Sequence, residues 1–163
     1  MNEQPLIVDG YDRPEEVGRL FREYTDALLE AEPDFAEYLA LQNYEEELAH
    51  LEMKYGRPAG RLYLLYCGSE VAGTIALRRI DGEHCEMKRL YVRPAFRGRG
   101  FAELLVRHLL CDAVQAGYRQ ILLDTFPFLT GAIALYQKLG FREVPSYNGT
   151  PMENLVYLAC DLV

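Results

Sequence analysis

"KRLYVRPAFRGRGFAELL", Lys88 to Leu105, sets four arginines and two glycines just ahead of a run whose apolar residues fall at helical spacing. Its first residues read as the end of a strand and its last as the start of a helix, with the glycines at the junction. A helix start offers backbone N–H groups that lack intrahelical partners, and nearby guanidinium groups favour an anion, phosphate above all. Between Glu86 and Arg107 there are six basic residues (Lys88, Arg89, Arg93, Arg97, Arg99, Arg107) against two acids, Glu86 and Glu103. The whole chain carries a net charge of −8. The reversal is therefore local, and a broad polyanionic surface such as nucleic acid is not an expected partner.

Downstream of this stretch, Arg97 to Ala116 reads as a helix with Ala102, Leu105, Val106, Leu109, Ala113 and Ala116 on one face and Gly117 as its stop. "YRQILLDTF" follows as a buried strand, and a strand–helix–strand order predicts a right-handed crossover joining a parallel pair. Thr130 is placed to cap the helix "GAIALYQKL", Gly140 to end it in the left-handed conformation and Phe141 to supply the apolar residue beyond. "FREVPSY" and "NLVYLACDLV" are two last strands. Upstream, "PLIVDGY" is a short strand, and Pro14–Ala31 and Asp34–Lys54 are two helices divided at Pro33. "RLYLLYC" and "EVAGTIALRRI" form a hairpin about Gly68-Ser69, and Asp81-Gly82 turns into "HCEMKRLYV". With 163 residues, half of them hydrophobic, the chain can bury a real core. The expected fold class is α+β (mixed α/β): a central twisted mixed sheet of about seven strands flanked by about four helices, in a single domain over residues 1–163.

The opening "MNEQPLIVDG" has no basic n-region or long apolar core, and no stretch reaches the roughly 18 apolar residues of a membrane span, so a cytoplasmic location is expected. Cys67, Cys85, Cys111 and Cys160 lack ligand spacing, as do His50, His84 and His108, which predicts free thiols and no metal site.

Known phosphate cradles test the glycines. A dinucleotide fingerprint counted from Gly98 and Gly100 places Glu103 where its third glycine belongs, and no lysine follows to make a nucleotide P-loop. What remains is R-x-x-G-x-A at Arg97, Gly100 and Ala102. That loop, with "KRLYVRPAFRGRG" before it and "AIALYQKLGF" at family-like spacing after it, resembles the GCN5-related N-acetyltransferase (GNAT) family, strongly from about Arg61 onward. The resemblance implies acetyl-CoA as acyl donor, with its pyrophosphate on the loop and helix start. The implied cofactor-binding residues are Leu90, Tyr91 and Val92 on the strand and Arg97, Gly98, Arg99, Gly100, Phe101 and Ala102 through the loop. It also implies transfer to a primary amine and leaves a homodimer open. The runners-up are a non-catalytic acyl-CoA-binding sensor on the same fold and a plain nucleotide-binding module.

The strand before the loop is odd in itself. Strict alternation puts Glu86, Lys88, Leu90 and Val92 on one face and Met87, Arg89 and Tyr91 on the other, so neither face is apolar. A bulge would re-aim these residues, and in the resembling family this strand splays from the next so that the pantetheine arm pairs with its backbone, the N–H at Val92 facing the developing oxyanion. Tyr136 matches the tyrosine that protonates the departing thiolate, and Glu86 falls where several members keep a general base. Leu129 departs from the family's pattern, standing where an asparagine is common. Cys85 has no histidine placed to activate it as an acyl carrier. Between Glu15 and Glu52 twelve acids stand against Arg19 and Arg22; in the resembling family these helices border the acceptor cleft, which predicts an acidic wall and a cationic acceptor.

Overall fold

The computed structural model describes residues 3–150, 152 and 154–162. Strand β1 (Pro5–Asp9) leads into α1 (Pro14–Ala31), where Pro14 sits in the first turn, Glu15 and Glu16 face the positive end of the dipole, and Val17, Leu20, Phe21 and Leu28 form the buried stripe. The single helix expected over Asp34–Lys54 is instead three: α2 (Phe35–Leu41), α3 (Tyr44–Ala49) and α4 (Leu51–Tyr55). Asn43, at φ 55°, breaks the first junction; asparagine is among the few residues that enter the left-handed region readily. The breaks re-aim side chains, bringing Tyr38 and Gln42 into the cleft described below and Glu47 into the interior.

β2 (Arg61–Cys67) and β3 (Glu70–Arg79) form the expected hairpin, with Gly68 at φ +65° in its two-residue loop. β4 (His84–Val92), a 3₁₀ turn (Pro94–Phe96), α5 (Phe101–Gln115) and β5 (Gln120–Thr125) follow, then α6 (Thr130–Lys138), β6 (Arg142–Val144) and β7 (Val156–Asp161). The order across the sheet is β1-β2-β3-β4-β5-β7-β6. β4 and β5 are parallel and the other neighbours antiparallel, which is the crossover read from the sequence. Two differences matter locally: Thr130 is the first residue of α6 and Leu129 its uncapped N-terminal neighbour, and β6 stops at Val144, leaving Tyr147 free to turn inward.

Helices cover both faces of the sheet. On one, Leu105, Leu109 and Tyr136 pack with Ile75, Met87 and Leu123; on the other, Val17, Leu20, Phe21 and Tyr55 pack on Leu62, Leu64 and Ala76. The helix count exceeds the sequence reading because of the breaks in the second expected helix.

Candidate active site

β4 carries the bulge that its sequence called for. On β3, Thr74 faces Tyr91 and Ala76 faces Lys88, so β4 has one residue too many, and Arg89 takes it up at φ +60°. The bulge reverses the strand's parity. Cys85 and Met87 lie in the core against α5, and beyond the bulge Leu90 and Val92 join that side, while Tyr91 packs with α1. A left-handed arginine costs about 1–2 kcal/mol. It is held by a buried fork: Arg89 Nε donates to Glu47 Oε2 at 3.0 Å, its terminal nitrogen to Oε1 at 3.1 Å and to Gln42 Oε1 at 3.0 Å.

The same distortion opens the sheet. β4 and β5 pair only at His84–Gln120, Cys85–Ile121 and Glu86–Leu122, so from Met87 to Val92 β4 has a partner on one edge alone. Beside that gap lie two cavities and a smaller one, the waist, which shares lining residues with each. One, of about 380 Å³, is lined by Leu90, Tyr91, Val92, Arg97, Ala102 and Tyr136 among others. The second, of about 360 Å³, is lined by Gln42, Arg78, Glu86, Lys88 and Asn148 among others. The waist, about 40 Å³, includes Tyr24, Lys88, Asp124 and Tyr136 in its wall. Tyr24 and Tyr136 reach both the waist and the first cavity; Gln42 and Lys88 reach both the waist and the second.

At the far end of the first cavity lies the loop. Gly98 and Gly100 hold φ of +80° and +79°, which a side chain would strain, and a Cβ at either would meet nothing within 4 Å. Gly100 is the N-cap of α5 and no side chain caps the helix, so its positive end faces open space where an anion is favoured. Arg97 lines the cavity and donates from Nε to the Val92 carbonyl at 3.0 Å. Arg99 does not: its guanidinium lies over the Phe96 ring and toward Cys67, on the other side of the loop. Phe101 is buried in the core against the sheet. The side chains of Arg99 and Phe101, both expected at the cofactor, thus lie outside the lining of this cavity.

The end of α6 fixes Tyr136. Gly140, at φ +104°, allows the Phe141 N–H to reach the Tyr136 carbonyl at 3.0 Å and the Gly140 N–H to reach Gln137 at 3.2 Å, and the Phe141 ring packs on Tyr136 with centroids 5.6 Å apart. Tyr136 is 5% exposed, and burial pushes its phenol well above the ordinary value, so the hydroxyl stays protonated. Tyr24, beside it, is raised to about 12 by the same burial.

Glu86 lies on the other side of the waist from the loop. Its Oε1 accepts from Arg78 Nε at 2.6 Å and its Oε2 from the Tyr147 hydroxyl. Although burial opposes it, the Lys88 and Arg78 charges and these hydrogen bonds hold its carboxyl below the usual range. Asp124, which no sequence signal marked, stands in the waist itself and accepts from Tyr38 at 2.6 Å and Asn148 at 2.9 Å. Cys85 is fully buried, outside all three linings, and burial raises its thiol to about 12, which disfavours it as a nucleophile.

The acidic wall expected from the N-terminal helices is not there. Eight of the twelve acids, including Glu30, Glu37 and Glu45, are exposed on the outer surface, and none of the twelve lines the cavities or the waist. Amphipathic packing turns them outward while Tyr24, Leu28, Tyr38 and Gln42 of the same segment face the cleft.

A helix start open to an anion, a half-paired strand leading from it and a buried phenol beside two cavities suit an enzyme that moves a group from a phosphate-bearing donor to a second substrate. The profile of the Acetyltransferase (GNAT) family matches residues 19–141, and the chain belongs to that family. An uncharacterized N-acetyltransferase of Schizosaccharomyces pombe is 36% identical over 131 residues, covering 79% of this chain and 80% of that one. A GNAT acetyltransferase from Staphylococcus aureus Mu50 shares the fold at a TM-score of 0.76 and 17% identity, over 98% of this chain and all of that one. A GNAT acetyltransferase from Elizabethkingia anophelis, solved with acetyl-CoA bound, superimposes at a TM-score of 0.57 and 26% identity, covering 64% of this chain and 77% of that one. The protein is an acetyl-CoA-dependent acetyltransferase. No helix among the described residues is long and apolar enough to cross a membrane.

Proposed function

We propose that the enzyme acetylates a primary amine by direct attack in a ternary complex, with the donor in the first cavity and the acceptor in the second. The observation that carries this reading is the waist: it shares Tyr24 and Tyr136 with the first cavity and Gln42 and Lys88 with the second. A non-catalytic sensor of acyl-CoA has no use for the second cavity.

In this reading the pyrophosphate rests on the amides of Gly98 to Ala102 with Arg97 beside it, and the free edge of Leu90–Val92 bonds the pantetheine arm. Acetyl-CoA supplies an acetyl group activated as a thioester. A protonated amine has no lone pair to attack with and must first lose its proton. Glu86 takes that proton as the family resemblance implies, or Asp124 does from within the waist; the pH profiles described below assign it. The amine nitrogen then bonds to the thioester carbon, the Val92 N–H meets the oxygen's developing charge, the C–S bond breaks, and the leaving sulfur takes the Tyr136 proton; the second proton, which the nitrogen sheds as the C–N bond forms, returns to the Tyr136 oxygen. Burial raises both partners of this last step, because the desolvation that keeps Tyr136 protonated also disfavours a naked thiolate.

The test is thiol release from acetyl-CoA across a panel of primary amines, with the acetylated product identified by mass. Thiol release that depends on an amine supports the reading. Tight CoA binding with no acetylated product from any amine would leave a sensor in its place.

A further inference from the structure

Lys88 is a buried cation to which the site's own carboxylates give no hydrogen bond. Its side chain is 8% exposed and stands where the second cavity enters the waist. Glu86 lies 3.9 Å away, with one oxygen on Arg78 and the other on Tyr147. Glu47 is taken by Arg89 and Lys54, and Asp124 by Tyr38 and Asn148. For an ammonium with three protons, the hydrogen-bond partner supplied is the neutral Gln42 Oε1 at 2.7 Å. A cation buried against an amide is held at a cost that an arriving anion relieves. The lining of this cavity has three cations, Lys54, Arg78 and Lys88, against Glu86, in a chain of net charge −8.

Resting on the acetyl-transfer reading above, we propose that the acceptor is an amine with a carboxylate close to its nitrogen, the carboxylate held by Lys88 Nζ and the amine pointing along the waist toward Tyr136. Lys88 and Tyr136 line the same small waist, about 40 Å³, which favours an acceptor whose two groups are near neighbours, as in an α- or β-amino acid. Arg78, whose Nε is on Glu86, lines the same cavity and offers a second cation for a second acidic group.

Wild-type enzyme assayed on α- and β-amino acids and on their carboxamides decides the matter without a variant. The acid is expected to exceed its own amide in kcat/KM by on the order of tenfold or more. Lys88→Met is expected to bring that ratio close to one, and Lys88→Arg to keep much of it. An amide used as well as its acid, or a ratio that survives Lys88→Met, overturns the proposal. Calorimetry with the N-acetylated acids and amides, in the presence of CoA, reads the same preference without turnover. The N-acetylated acid is expected to bind the tighter; equal binding also overturns the proposal. Desolvation and the Arg89 charge bring the Lys88 ammonium down to about 8, so the acid's binding is expected to weaken as pH rises through that value, the carboxylate staying ionised throughout. The groups facing Lys88 are Arg78, Glu86, Arg89, Lys54, Asp124 and Tyr38, and loss of this pH step in Lys88→Met assigns it to Lys88. If no amine releases thiol yet the acids still bind selectively, acetyl transfer is what fails and the role of Lys88 stands.

Discussion

Tyr136 has a hydroxyl whose raised pKa comes from burial and the neighbouring Tyr24 alone, in a wall shared by the waist and the donor cavity. If it delivers the proton to the leaving sulfur, Tyr136→Phe lowers kcat by on the order of a hundredfold and leaves the CoA dissociation constant nearly unchanged, since the ring keeps its packing against Phe141. Tyr24→Phe, measured alongside, is expected to do far less; a reversed order would move the acid to Tyr24. The base is read from pH. Glu86 is held below the usual carboxylate range and so takes protons poorly, yet an ionised carboxylate can still pass one on. Glu86→Gln or Asp124→Asn, whichever removes the base, shifts the rise of kcat/KM to higher pH, and the other leaves it in place. Tyr136 and Glu86 were visible in the sequence through the segments that flank them, whereas Asp124, Tyr24 and Lys88 were not singled out. Asp124 follows the apolar run Ile121–Leu123 near the end of β5, and Tyr24 sits in a helix beside its buried stripe, so nothing local marks either as part of a site. Lys88 belongs to the strand whose charge pattern was already anomalous.

The bulge in β4 is the element on which the cleft depends, and its support comes from a distant helix. Arg89 stays left-handed and buried because Glu47 of α3 answers its guanidinium with both oxygens. Glu47→Gln leaves that charge without an anion and is expected to destabilise the fold by about 3 kcal/mol in chemical denaturation. Glu47 titrates near about 2 in the fold against an ordinary 4.5, so its contribution is whole above about 4.5 and lost as pH falls toward 2. Wild type therefore loses more stability over that interval than Glu47→Gln does. Equal losses would mean the pair contributes nothing net. The loop is tested separately: Gly100→Glu puts a strained, charged side chain into the open space at the start of α5, and calorimetry is expected to show CoA binding abolished in a protein that still folds. At this scale the sequence was most legible where turn chemistry is local. Gly68-Ser69, Gly117 and Gly140 all mark true boundaries. It was least legible over Asp34–Lys54, because apolar spacing alone does not reveal that Asn43 leaves the helix, and that break is what aims Glu47 at Arg89.

For the whole molecule, charge is sorted by side. Most acids of α1 to α4 face outward and keep the surface negative, while a basic loop and a cationic second cavity lie along the splayed edge of β4. The excess of acids in the sequence was read as a wall of the cleft because composition gives no direction; only the packing of α1 and α2 shows which face each residue takes. In the proposed reading the two substrates occupy neighbouring cavities and meet at the waist that shares lining residues with both. That reading has both bound at once, and the one cysteine on β4 is buried away from the cleft. The measurement that tests this most directly is the initial-velocity pattern, with acetyl-CoA varied at several fixed concentrations of the best amine and thiol release as readout. Intersecting double-reciprocal lines, unchanged in Cys85→Ala, are the predicted result, and parallel lines with an acetylated enzyme detected by mass would contradict it.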